Sequence, residues 1–253
     1  MKTLRPYLLL LLMGSLITAC DKDLVDDPPI DAGRRNFMVR FDYLFNGVDY
    51  KRDSLIVLGP TNKFRITDVN FLISSAFATR SIGDSIISEN MFTWTTLAET
   101  DYLIGEIPAG SYNGHLGFTF GLDSLTNALP PTEFPRTPLS ENNLFLDGIR
   151  GYSFIRIRGN AMNPDTTSLQ TTIPFNYVVA TTPLAYTVSK ERAFSLNVGN
   201  RVVYRAIIDL GSLFDGLNPS EVNSITSDPT NPIDYERAEK IMQNFAARGF
   251  DWK

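Results

Sequence analysis

The chain has 253 residues but only one cysteine, Cys20, and one histidine, His115. That scarcity removes most side-chain chemistry at once. No disulfide can form within the chain, no zinc centre of Cys/His type is available, and a Cys–His couple is not supported. Serine-triad hydrolysis would rest on His115 alone. Ser111 and Asp123 lie near it in sequence, but no nucleophile-elbow motif accompanies them. Basic charge is also short, with 23 Lys and Arg against 28 Asp and Glu, a formal charge of −5 and a pI near 5.0. This excludes a nucleic-acid partner held by phosphate contacts. No apolar run reaches the ~20 residues of a membrane-spanning helix. The charged fraction of 20% and apolar fraction of 43% are those of a folded protein, and the length suits one large domain or two small ones.

The first nineteen residues read as an address. Lys2 and Arg5 form a short basic start, and an apolar run begins at Tyr7 and continues through Leu16 and Ile17. Its length fits a secretory signal. It ends in Ile17-Thr18-Ala19-Cys20, which resembles a bacterial lipobox, so Cys20 is expected to be lipidated and to become the mature N-terminus. Several acyl chains on one residue make a stable membrane anchor, where a single chain holds only marginally. Removing residues 1–19 takes away two bases and no acid, which makes the mature chain still more acidic. Residues 20–36 lack periodicity, with Asp26-Asp27-Pro28-Pro29 and Gly33-Arg34-Arg35, and read as a flexible tether. Asp21-Lys22-Asp23 resembles the charged export signals of Bacteroidetes surface lipoproteins. Four Asp-Ser/Thr-led triplets resemble the O-glycosylation motif of that phylum, with Ser54, Ser85, Ser124 and Thr166 as the acceptors. The expected location is the outer membrane, facing the periplasm or the cell surface, with the surface favoured.

Residues 37–253 read as one domain of many short strands. Phe37, Val39, Phe41, Tyr43 and Phe45 alternate, Asn46-Gly47 marks a turn, and Asp49-Tyr50-Lys51 looks like the return strand. Phe64–Ile73, Tyr112–Phe120, Tyr152–Arg158, Phe194–Val198 and the stretch from Val202 to Leu210 continue the pattern, with Gly199-Asn200 as a turn. Gly114 and Gly117 imply a bulged or closely approached strand. Helical stripes are nearly absent, which predicts an all-β antiparallel sandwich. The exception is Asn231-Pro232, an N-cap with Pro at N1. Ala238, Ile241, Met242 and Phe245 follow at helical spacing, and Gly249 stands at the end. This predicts one short C-terminal α-helix, about Ile233 to Arg248, packed on the sandwich. Leu129–Asn143, Ala161–Pro174 and Asp215–Pro232 read as long irregular loops, the places where function often sits.

Several blocks in order resemble the MbnP-like family: Phe45-Asn46 with Tyr50-Lys51, Phe64-Arg65-Ile66-Thr67, Phe71-Leu72-Ile73-Ser74, Ile107-Pro108-Ala109-Gly110-Ser111-Tyr112, Phe120-Gly121-Leu122-Asp123-Ser124, Gly151-Tyr152-Ser153-Phe154-Ile155 and Leu213-Phe214-Asp215. The resemblance runs from about Phe37 to Phe250. It implies a β-rich fold and, for some members, copper held by histidines and an oxidised tryptophan, the oxidation being done by a partner di-haem enzyme. The family's Trp-containing stretch corresponds here to Leu144–Arg150, with no Trp. Its aromatic-His-Leu-Gly stretch corresponds to Phe175-Asn176-Tyr177-Val178, with no His. The copper function is therefore not carried over.

The remaining candidates are weighed against ordinary structural roles. His115 lacks a second imidazole or thiolate, which copper needs, and reads as a common strand residue. Asp147, Asp165, Asp209 and Asp215 could meet only through the fold. Asn160–Asp165 and Asp209–Asn218 are loops where calcium could find hard oxygen ligands, although neither matches an EF-hand. Met91, Phe92 and Trp94, with Trp252 at the end, form an aromatic set that reads as core before it reads as a carbohydrate platform. The sequence thus predicts a non-catalytic envelope lipoprotein that binds a protein or glycan ligand, with no catalytic residue, metal or cofactor. Its rivals are a copper or redox accessory protein serving a di-haem peroxidase-like enzyme, and a surface glycan-binding module.

Overall fold

The computed structural model describes residues 33–80, 84–88, 91–141, 143–163, 172–196 and 202–253. The signal at residues 1–19, Cys20, most of the tether, Thr166 and the Gly199-Asn200 turn lie outside the described residues.

Among the described residues nine main strands build two sheets. They are β1 (Arg34–Phe45), β2 (Lys63–Arg80), β3 (Asp101–Pro108), β4 (Gly110–Phe120), β5 (Gly151–Met162), β6 (Thr172–Ala180), β7 (Tyr186–Glu191), β8 (Val202–Asp209) and β9 (Phe250–Trp252). The smaller sheet runs β9–β8–β1, with β3 and the short strand Val48–Asp49 on the other edge of β1. The larger sheet runs β7–β4–β2–β5–β6 and ends in Ser224–Ile225, with short strands at Ile56–Val57, Ser85–Ile87, Thr93–Trp94, Phe145–Asp147 and Phe194–Leu196 pairing along it.

The fold is an all-β sandwich with one short C-terminal helix. Alternation explains β1: Phe37, Val39 and Phe41 are fully buried, and the residues between them face outward. The Asn46-Gly47 turn follows, with both residues at positive φ and Phe45 paired with Val48. This is the two-residue hairpin that the dipeptide favours. β1 begins at Arg34, three residues inside the segment expected to be tether. Arg34, Arg35 and Asn36 pair with Pro108, Ile107 and Glu106, and that ladder orders them. Most pairings are antiparallel, but β1 and β8 run parallel from Phe37↔Val202 to Leu44↔Asp209. The two ends of the domain are thereby joined in one sheet.

The main core lies between the sheets and includes Phe41, Phe64, Phe71, Phe118, Phe120, Tyr177 and Phe214. Each fully buried large apolar side chain contributes about 1.5–3 kcal/mol. Gly117 fits the close approach expected of it, because a Cβ there would lie 2.1 Å from the carbonyl oxygen of Val188. Among the described residues two segments are α-helical: α1 (Ser124–Ala128), capped by Asp123, and α2 (Pro232–Asn244), capped by Asn231. α2 ends earlier than expected and passes into a single π turn, Phe245–Gly249. Ala238, Ile241 and Met242 of α2, with Phe245 after it, close the core.

The proline-rich loop Leu129–Asn143 is structural. It forms two 3-10 turns, Pro131–Glu133 and Pro138–Ser140, and covers the outer face of the larger sheet. There Leu139 joins Leu72, Leu122, Leu144, Tyr152 and Phe154 in a second, smaller core. Trp94 and Phe92 pack at its margin, while Trp252 packs on Phe118 and Phe250 in the main core. The aromatic set read from the sequence is thus divided between two cores.

Candidate binding cleft

α2 has one stripe that faces away from the core: Ile233, Glu236, Arg237 and Lys240 follow helical spacing. Opposite it stand Leu58 and Asn62 of the turn before β2, and the loop from Asp215 to Val222. Between these walls lies a cleft of about 710 Å³. Phe214 and Leu217 are buried beneath it.

The walls are fixed by hydrogen bonds that leave the mouth open. Ser220 Oγ donates to the carbonyls of Thr61 (3.2 Å) and Met162 (3.0 Å), which ties the loop to the β2 turn and the end of β5. Asn218 Nδ2 donates to Glu221 Oε1 at 2.8 Å, and Tyr177 Oη donates to the Val222 carbonyl at 2.6 Å. Burial raises the Tyr177 phenol well above its ordinary value, so it serves as a neutral donor. Asp215 pairs with Arg248, and its carbonyl takes Asn244 Nδ2 at 3.0 Å. The side-chain oxygen of Asn62 is buried without a hydrogen-bond partner, which leaves an unused acceptor in a residue that lines the cleft.

A second groove of about 420 Å³ adjoins the cleft through Leu58. Val48, Leu55 and Val57 line it and are exposed, as is Ile233 across the cleft. The end of the sandwich therefore offers a shelf of exposed aliphatic side chains beside three carboxylates and two cations: Asp215, Glu221, Glu236, Arg237 and Lys240. Such a mixture suits an amphipathic partner rather than a purely apolar one. The sequence pointed to Asp215–Pro232 as a place for function but not to α2 or Leu58. The outward stripe of α2 was readable only as its solvent face.

The other residues singled out in the sequence do not converge here. Asp209 uses its carboxylate to accept backbone N–H groups of Asn46, Gly47 and Gly211, at 2.8, 2.9 and 2.9 Å. A carboxylate aimed at donors is a turn clamp, which is the opposite of a calcium ligand. Asn160 lies within β5, and Asp165 is outside the described residues. Asp147 accepts from the backbone N–H groups of Ile149 and Arg150 and pairs with the Arg150 guanidinium at 2.8 Å. Among the described residues, no group of three His, Cys, Asp or Glu side chains could hold a metal ion. His115 is exposed on β4, opposite Glu191 of β7. Ser85 and Ser124 are exposed and Ser54 is half-buried. No helix among the described residues is long and apolar enough to cross a membrane.

Asn176, which stands where the resemblance places a histidine, is exposed on β6 in register with Arg158 of β5. The Leu144–Arg150 stretch forms the short strand Phe145–Asp147, which pairs with the start of β5. An amide beside a guanidinium, and an aspartate already held by Arg150, do not fit a copper centre of imidazole type.

Comparison with known proteins places the fold. The family model described as MbnP matches residues 34–228. The solved structure of MbnP from Methylosinus trichosporium superposes with a TM-score of 0.50 at 12% sequence identity, over 78% of this chain and 82% of that one. At that identity the likeness is one of fold. No curated protein matches the chain.

Proposed function

The chain belongs to the MbnP family, and we propose that it is a non-catalytic envelope lipoprotein whose domain binds a partner in the cleft between α2 and the Asp215–Val222 loop. The cleft carries the reading, because it is roomy, mixed in character and bounded by exposed Leu58 and Ile233. The lipobox-like Ile17–Cys20 supports an anchor on the outer membrane, with Cys20 acylated and residues 20–33 as the tether. Copper handling beside a di-haem enzyme is the family's alternative, and the exchange of its His and Trp positions for Asn176 and Leu144–Arg150 argues against it. The glycan-binding alternative, as a platform of free-standing aromatics, loses support because Trp94 is partly buried against the margin of the second core.

The test places a photo-crosslinking residue at Ile233, at Val57 or, as a control, at Ile149, and irradiates native cells. Ile149 is exposed but lies away from the cleft. A discrete adduct at Ile233 and Val57 that is absent at Ile149 and lost in Lys240→Glu supports the reading. Adducts at none of the three, or at all alike, overturn it. Acylation is tested separately by partitioning of Cys20→Ser: the reading requires this variant to leave the membrane fraction. Tight stoichiometric copper binding by the purified chain would restore the family alternative.

A further inference from the structure

The outer face of the larger sheet carries charge that the cleft does not use. Ile155 and Ile157 face the main core, so Arg156 and Arg158 project together from the other side of β5. Arg158 pairs with Asp68 of β2 at 2.5 Å, and Asn70 Nδ2 lies 3.4 Å from the same carboxylate. No carboxylate partner of Arg156 occurs among the described residues. Its guanidinium lies 5.6 Å from the ring centroid of Trp94 and donates to the Asn143 carbonyl. Burial first, and then the like charge of Arg158, lower the pKa of Arg156, partly offset by Asp68. Arg65 of β2 gives its donor to the Asp53 carbonyl at 2.8 Å, while the Asp53 carboxylate pairs with Arg52 at 3.8 Å. Of the three guanidinium groups Arg65, Arg156 and Arg158, Arg158 alone pairs with Asp68, in a chain of net charge −5.

A partly buried guanidinium without an anion is an incomplete arrangement. Its planar fork matches a carboxylate or sulfate group in two-pronged geometry. The exposed amide of Asn176 stands beside Arg158, where it could take a neighbouring hydroxyl. We propose that Arg156 and Arg158 form an oxyanion-binding site for a carboxylate or sulfate group, free or carried on an acidic saccharide.

The site is tested by calorimetric titration of the full-length chain in detergent with sodium sulfate, sodium glucuronate and glucose at low ionic strength. Saturable binding of the anions but not of glucose is expected, weakening as sodium chloride is added. Arg156→Gln and Arg158→Gln should each weaken it by about tenfold or more. Arg156→Lys should keep part of the affinity, and Arg205→Gln, whose partner is Asp42 on the other sheet, should leave it unchanged. Glucuronate binding well above sulfate identifies the saccharide as the source, and equal affinities identify the free oxyanion. Because Arg156 lies over Trp94, anion binding should also shift the indole emission of a Trp252→Phe variant. Failure of both anions to bind, or binding indifferent to both Gln variants with native circular dichroism, overturns the proposal.

Discussion

The carboxylate of Asp209 accepts hydrogen bonds from the backbone N–H groups of Asn46 and Gly47, at 2.8 and 2.9 Å, across a sequence separation of more than 160 residues. Both N–H groups belong to the tight turn after β1, and Asp209 ends the parallel partner strand β8. One side chain therefore fastens the first hairpin to the last long strand. Asp209→Ala should leave these turn donors without their partner and destabilise the fold by about 1–3 kcal/mol. Denaturant titration of wild type and variant measures this. A change within a few tenths of a kcal/mol would show that water replaces the carboxylate at no cost.

Gly117 is expected to resist replacement even by alanine. The added methyl would meet the Val188 carbonyl at 2.1 Å and the Phe77 ring at 2.8 Å. The first of these is backbone in the adjoining strand and cannot swing aside. Gly117→Ala should cost about 1–3 kcal/mol through overpacking, while Gly148→Ala, where a Cβ meets nothing within 4 Å, should be nearly neutral. Paired melting curves would separate the two.

The loop packing predicts a second stability effect. Leu139 is fully buried in the smaller core, under the 3-10 turns that the prolines allow. Leu139→Ala should cost about 2–5 kcal/mol, the range for truncating a buried leucine. Trp94 at the margin of that core should report the loosening as a red-shifted emission. Unchanged stability would mean that the loop is a detachable cover.

These sites show why some of the fold was legible and some was not. Period-two alternation in β1, the Asn46-Gly47 turn and the capped C-terminal helix are local features, and local features are written in neighbouring residues. The parallel pairing of β1 with β8 depends on contacts between distant segments, which no short pattern records. Leu129–Asn143 reads as an exposed functional loop because proline and polar residues hide Leu139 and Phe134, which anchor it. The cleft was invisible for a related reason: Leu58, Asn62 and Lys240 come from three separate segments and acquire meaning only when packed together. Asn176 and Arg158 were each readable as ordinary strand residues, and their adjacency is a matter of register.

Acid should act through Asp147. Its pKa lies below the ordinary 3.8, first because the Arg150 backbone N–H donates to it; burial opposes this next, and the Arg150 guanidinium and the Ile149 N–H then lower it further. A carboxyl whose folded pKa is depressed contributes stability that is present above the ordinary value and lost as pH falls through the folded one. Asp147→Asn should therefore flatten the loss of stability below about pH 4. Since Asp147 is well exposed, the change should be small and should shrink further in high salt. Denaturation midpoints at neutral and acid pH for both proteins provide the comparison. Parallel pH profiles would remove Asp147 from the acid response.

Alkali should act through the buried tyrosines, with the opposite sign. Burial pushes Tyr50, Tyr152 and Tyr204 up to about 12, and raises Tyr43 and Tyr177 further. In the unfolded chain a phenol ionises near pH 10. Between that pH and the folded pKa the unfolded state binds fewer protons than the folded one, so stability is intact below about pH 10 and falls as pH rises above it. Several buried phenols should therefore ionise together as the fold opens, instead of titrating one by one. Absorbance at the phenolate band, followed with circular dichroism through the same pH range, should show both signals moving in one transition. Tyr152→Phe removes one phenol and its 3.0 Å hydrogen bond to the Leu129 carbonyl. It should lower stability at neutral pH by about 0.5–1.5 kcal/mol yet make the alkaline decline shallower. Full phenolate absorbance near pH 10 with the β-sheet signal intact would show that these rings are open to solvent and refute the buried assignment.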